Sequence, residues 1–264
     1  MFKQIVKNKA IAVGATESWN LNAKTVNALI MQIDIPADAT STKALYLTVQ
    51  SGKKTCISRV PVMAFQLLAD LGGFNVSSLN SFVEIDLGNI TLEEQEELQI
   101  FLDNGSAEIL TVDIIAEINE SYVPSDKRYS VRSDKNFVAE KCEALFLIGQ
   151  ALDESYATIE MTTSDENTSF PVSVYSTITN ARHNIGDAVN LLVAVIKEEG
   201  SLDNIAINTD LLLSASVYFL VVQSLDSTET QVKNIAKVAK IHEARVQARS
   251  GSVRRANALR GMTS

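Results

Sequence analysis

Two histidines, two cysteines and 32 acidic residues are the groups in this 264-residue chain that could ligate a metal or move a proton. Their spacing argues against both. A zinc protease site needs histidines at i and i+4 on one helix face, whereas His183 and His242 stand far apart. His183, in Asn180-Ala181-Arg182-His183-Asn184, reads as a surface or cap residue, and His242 lies among basic residues as a solvated side chain. Cys56 and Cys142 share no motif and read as two reduced, partly buried thiols, as expected of an intracellular product. Glu93, Glu94, Glu96 and Glu97 have the hard oxygens that suit calcium, but on a helix they spread around a polar face. No Gly-x-Ser-x-Gly, Walker or Gly-x-Gly-x-x-Gly pattern occurs, and Gly72-Gly73 follows an apolar helix-like run, where glycine ends a helix. The expectation is a chain with no catalytic residue, no metal and no cofactor: not an enzyme.

Charge carries the one clear signal of binding chemistry. Residues 230–264 hold eight Lys/Arg against the single acid Glu243, whereas residues 1–229 hold 15 Lys/Arg against 31 acids, within a net charge of −9. The cations Lys233, Lys237, Lys240, Arg245, Arg249, Arg254, Arg255 and Arg260 are the candidate contacts for an anionic surface. The segment has no aromatic residue, so it offers no stacking platform for single-stranded nucleic acid. Phosphate electrostatics remain, from membrane lipid headgroups or a genome, and so does packing on the acidic body of a subunit. Val232, Ile235, Ala239 and Val246 line one side of a helix expected over Val232–Ala248, and 250–264 are expected to be less ordered.

The elements that precede this tail are mostly strands. Leu29, Met31, Ile33 and Ile35 alternate with Ile30, Gln32 and Asp34; Leu45, Leu47 and Val49 alternate with Tyr46, Thr48 and Gln50. A helix is expected to open at Pro61 and run to Leu71. Val83, Ile85 and Leu87 form a further half-wet strand, and Leu110, Val112, Ile114, Ala116 and Ile118 the clearest one. Between them, Thr91-Leu92-Glu93-Glu94 fits a capping box, so a helix is expected over Thr91–Asn104. No apolar run reaches the roughly 18–20 residues that span a bilayer, and the apolar stretch after Lys3, Lys7 and Lys9 is too short for a secretory signal.

The order then repeats. Asn27-Ala28-Leu29-Ile30 has its counterpart in Glu143-Ala144-Leu145-Phe146, and the strand at Ala44–Val49 in Tyr156–Thr162. Arg59-Val60-Pro61-Val62 returns as Ser169-Phe170-Pro171-Val172, with the prolines 110 residues apart, and Ala107–Ile118 returns as Ser214–Val222. The longer apolar runs of the second half suggest strands covered on both faces. The organisation read from this is an N-terminal arm over 1–24, a first β domain over 25–121, a Pro-bearing linker over 122–136, a second β domain over 137–226 and the basic tail over 227–264.

This layout resembles the double jelly-roll major capsid proteins, most of all the compact ones of icosahedral phages with an internal membrane, of the corticovirus kind. The resemblance covers about 26–225 and is one of element order, without a short motif. It implies a mainly β chain of two tandem jelly-roll β-sandwich domains with short inserted helices and a C-terminal basic helix. It also implies a viral capsid protein of the virion, made in the host cytoplasm, whose homotrimers present six similar barrels as pseudo-hexameric capsomers. Its partners would be copies of itself, other capsid proteins and, through the tail, lipid or genome. A phage tail or baseplate component and a tandem β-sandwich ligand-binding module are the other readings; a single Trp and 6% aromatic content count against sugar stacking.

Overall fold

The chain is described by a computed structural model over residues 1–34, 45–52, 54–62, 64–65, 81–92, 95–118, 125–150, 157–183, 191–197, 203–214 and 217–224. Eight strands occupy the first half: β1 (Phe2–Ile11), β2 (Thr16–Leu21), β3 (Thr25–Asp34), β4 (Leu45–Ser51), β5 (Lys54–Pro61), β6 (Ser81–Thr91), β7 (Leu98–Asn104) and β8 (Leu110–Glu117). They pair antiparallel in two sheets, β1-β8-β3-β6 and β2-β7-β4-β5. Alternation sends Leu29, Met31, Ile85 and Ile114 inward from one sheet and Leu47, Val49, Ile100 and Leu102 from the other, all within one buried cluster. Eight strands in this order make a jelly roll.

The second half repeats it with β9 (Ser125–Arg132), β10 (Asn136–Gln150), β11 (Thr158–Thr162), β12 (Asn167–Pro171), helix α1 (Val172–His183), β13 (Leu191–Lys197), β14 (Asp203–Thr209) and β15 (Val217–Ser224). Here one long strand serves both sheets. Asn136–Ala139 of β10 pair with β14, and Ala144–Gly149 pair with β15. Register shifts fall between, where Lys141 takes a left-handed φ of 49°, the signature of a bulge that turns a strand from one sheet to the next. The sheets are therefore β9-β15-β10-β13 and β10-β14-β11-β12. Pro61 and Pro171 end equivalent strands, and both lead into helix: Val62, Ala64 and Phe65 are helical, as is α1.

Four expectations are corrected. Residues 1–24 are not an arm but carry β1 and β2, which bury Val6, Ile11 and Leu21 in the first core. The register of β1 slips at Gln4/Val6 and Val6/Lys9, and Asn8 sits at φ 47°, so its inward residues do not alternate and the strand is masked in the sequence. Residues 122–136 are not a linker, since they contain β9 and the start of β10. Strand pairing moves the barrels' first residues from 25 to 2 and from 137 to 125. Thr91–Asn104 is not a helix: β6 runs to Thr91, and β7 buries Leu98, Ile100, Leu102 and Asn104 while Gln99, Phe101 and Asp103 face outward. Glu93 and Glu94 of the expected capping box lie outside the described residues, as do residues 66–71 of the helix expected after Pro61.

Asn104, fully buried at the end of β7, replaces the expected helix stop with a turn. Its Nδ2 donates to the carbonyls of Ile11, Ala12 and Glu108, and its Oδ1 accepts from the Ser106 amide and hydroxyl. One side chain thus ties the β1–β2 corner to the β7–β8 corner.

Candidate functional site

β9, β10 and β15 form a wall with apolar side chains on both faces. Leu145, Leu147, Phe219 and Val221 point into the second barrel's core. Ala144, Phe146, Ile148, Tyr218, Leu220 and Val222, one residue out of phase, belong to the first barrel's core. That is why these strands read as continuous apolar runs in the sequence. Residues 1–225 form one compact unit around these two cores.

β9 is the hinge pin of the junction. It pairs along its length with β15, in parallel with β5 at Ile57/Tyr129 and Ser58/Ser130, and with β6 at Gly88/Asp126 and Asn89/Ser125. Hydrogen bonding therefore continues from one barrel into the other. Phe65, in the helical turn after β5, meets Tyr129 edge to face with ring centroids 5.1 Å apart, and the Tyr129 hydroxyl donates to the Asp86 carbonyl at 2.6 Å.

Charges at the junction are paired across the barrels. Lys127 of β9 lies 2.8 Å from Asp86 of β6 and 3.0 Å from Glu143 of β10. Burial alone would lower the Lys127 pKa, but Asp86, Tyr129 and Glu143 together hold it above its ordinary value. Lys54 reaches Asp126 at 3.3 Å on the rim. Tyr218 is held above the ordinary phenol range by burial and by Tyr46, whose ring carries the Arg59 guanidinium at 4.0 Å.

A cavity of about 460 Å³ beside the junction is lined by Ser51, Gly52, Lys54, Cys56, Thr91 and Glu96, among others. Burial first, then Asp126, push its one thiol, Cys56, up to about 11, which disfavours the thiolate at neutral pH. Cys142 is likewise a buried thiol outside any disulfide, and its Sγ donates to the Ala144 carbonyl. Among the described residues no group of three His, Cys, Asp or Glu is placed to hold a metal ion, and no helix is long and apolar enough to cross a membrane. What the geometry can do is hold two barrels rigidly side by side.

The residues singled out from the sequence are mostly elsewhere. Lys233, Lys237, Lys240, Arg245, Arg249, Arg254, Arg255 and Arg260, with His242 and the helix expected over Val232–Ala248, lie outside the described residues, as does Gly72-Gly73. His183 closes α1. Lys127 and Tyr129 are hard to find in the sequence because β9 looks like a polar linker; the shared phase of Tyr129 and Val131 is the available signal.

No family model matches the chain, and no curated protein matches it. Among solved structures, "STIV MCP" superposes with a TM-score of 0.62 at 9% identity, covering 84% of this chain and 95% of that one. The major capsid protein P2 from bacteriophage PM2 superposes at 0.53 and 10% identity, covering 85% and 96%. The chain is thus a mainly β, double jelly-roll protein similar in fold to viral major capsid proteins, along nearly their whole length.

Proposed function

We propose that the chain is a viral major capsid protein, a structural building block rather than an enzyme. The observation that carries this reading is the two-sided wall of β10 and β15, which fuses two jelly rolls into one block, together with a fold similar to two capsid proteins. Tiling needs what such a block offers. Two similar barrels per chain let a homotrimer present six, so that a threefold particle occupies a hexagonal lattice position in an icosahedral shell. Copies of itself and other capsid proteins are its partners in the virion. The acidic body keeps the chain soluble after synthesis in the host cytoplasm, and the basic tail faces the lipid of an internal membrane or the genome.

Electron microscopy of the assembled protein tests this. Trimeric, hexagonally outlined capsomers or facets are the expected images. Rings or tubes would favour a tail or baseplate component, and a protein that stays monomeric under all assembly conditions but binds a glycan would favour a ligand-binding module.

A further inference from the structure

The contact that joins the two barrels within one chain uses two surfaces, and the internal repeat supplies a second copy of each. The first surface is the helical segment after the proline of β5: Val62, Ala64 and Phe65 are all buried, Ala64 at 1% and Phe65 at 3% exposure. Counting from Pro171 instead of Pro61, their counterparts are Val172, Val174 and Tyr175 of α1. Val172 is buried in its own barrel, but Val174 is exposed, and so are Ile178 one turn later (44%) and the neighbouring Phe170.

The second surface is the outer face of the sheet containing β9, β15 and β10. Its defining row is Tyr129–Val222–Ala144, read straight across three paired strands. Aligning Ala28-Leu29-Ile30 with Ala144-Leu145-Phe146, the counterpart row of the first barrel is Phe2–Glu117–Ala28. An aromatic residue thus stands at the same place in both rows. Tyr129 is covered by Phe65, whereas Phe2 is 64% exposed. The next row agrees, with Ile115 and Ile30 standing where Leu220 and Phe146 do.

We infer that the junction is repeated between chains: α1 of one copy, through Val174, Tyr175 and Ile178, docks on the outer β1-β8-β3 face of a second copy, with Tyr175 against Phe2 as Phe65 is against Tyr129. The occupant of the exposed α1 face is therefore another copy of this chain. The two surfaces differ, so the contact is heterologous and propagates head to tail until a ring closes. The differences in composition fit. The row inside the chain is apolar because it is always covered, while the open one keeps Glu117 and Gln4 among its apolar residues, as a face wetted before assembly must. This deepens the capsid reading and rests on it only for the claim that copies associate.

Cysteine cross-linking tests it, because the native thiols are buried. Full-length F2C and Y175C proteins are oxidised separately and as a mixture under assembly conditions, then resolved without reductant. A linked dimer is expected in the mixture and absent from either protein alone. Self-linked dimers of one variant would overturn it in favour of a two-fold contact. Light scattering separates the remaining failures: an oligomer with no link in the mixture overturns this interface and leaves the capsid reading standing, whereas a protein that stays monomeric throughout counts against both. As a second arm, Val174→Glu with Ile178→Glu, both on the exposed face, should keep the far-ultraviolet spectrum and melting temperature and abolish the oligomer; a persistent oligomer overturns the proposal.

Discussion

Phe65 and Tyr129, residues of different barrels, lie edge to face at 74° with their centroids 5.1 Å apart, at the point where β9 crosses from one barrel to the other. Truncating Phe65 leaves a void on the junction side of the first core and removes the ring contact. Phe65→Ala is expected to lower the unfolding free energy by about 3 kcal/mol. Urea denaturation measures it. A loss under about 0.5 kcal/mol, the range of an ordinary surface change, would show that the contact does not hold the barrels together.

Lys127 bridges Asp86 and Glu143 from a mostly covered position. Replacing it with methionine keeps the packing of the stem but leaves Glu143 without its counter-charge. The expected cost at pH 7 is roughly 2 kcal/mol, below that of a fully buried pair because Asp86 is wet. The pH dependence has a definite sign. The folded pKa is raised above the ordinary 10.5, so the stabilisation is complete below pH 10.5 and is lost as pH rises through the higher folded value. Melting temperatures of the two proteins should differ by a constant amount from pH 7 to 10 and converge above it. A gap that widens with alkali would contradict the assignment.

Legibility from the sequence followed a physical divide. Strands with strict alternation or unbroken apolar runs, such as Leu110–Glu117 and Val217–Ser224, declare themselves because burial decides each residue. β1 does not, since two register slips and the left-handed Asn8 break its period. β9 hides for another reason. Lys127 and Arg128 look like linker chemistry, yet the Lys127 ammonium finds two carboxylates only after both barrels have formed. β7 hides behind a local signal: Leu98, Ile100 and Leu102 alternate plainly, but Thr91-Leu92-Glu93-Glu94 just before them also fits a helix start. The repeat itself survived because its markers, the two prolines and the strands around them, lie at positions fixed by the fold. The junction was legible only in part, through the double-faced apolar runs, since contact between barrels has no period of its own.

Asn104 concentrates five hydrogen bonds in a site with no exposure. Asn104→Ala removes all five of these bonds and loosens both corners of the first barrel. About 1–3 kcal/mol of stability should be lost, read by thermal or urea unfolding. Asn104→Asp should do no better, because it replaces the donating amide with oxygens facing three carbonyls. Equal stability of Asn104→Asp and the parent protein would show that the Nδ2 bonds contribute nothing.

Cys56 gives a check on the packing around the cavity. Its thiol is pushed from 9.0 up to about 11, chiefly by burial, so the unfolded chain ionises first as pH rises. Stability contributed by the neutral thiol is therefore full below pH 9 and declines between pH 9 and 11. At pH 8 iodoacetamide should leave the folded protein unmodified and label two cysteines after denaturation. Rapid labelling of one thiol in the native state would place Cys56 in an open, wetter environment.

The basic tail yields a test of the anionic partner proposed for it. Eight Lys/Arg after Thr230, interleaved with Val232, Ile235 and Ala239, combine charge with an apolar stripe and no aromatic residue, which favours an anionic lipid surface over stacking on bases. Each cation near such a surface contributes about 1 kcal/mol, screened over a Debye length of about 8 Å at physiological salt. A chain ending at Thr230 should keep its fold and self-association, because both cores and the junction lie before residue 226. It should lose sedimentation with vesicles containing anionic lipid, and the full chain should lose it as salt is raised. Equal vesicle binding by the full and shortened chains at low salt would remove the tail from the membrane. Retention of a nucleic acid by the full chain only, with no vesicle binding, would assign its cations to the genome.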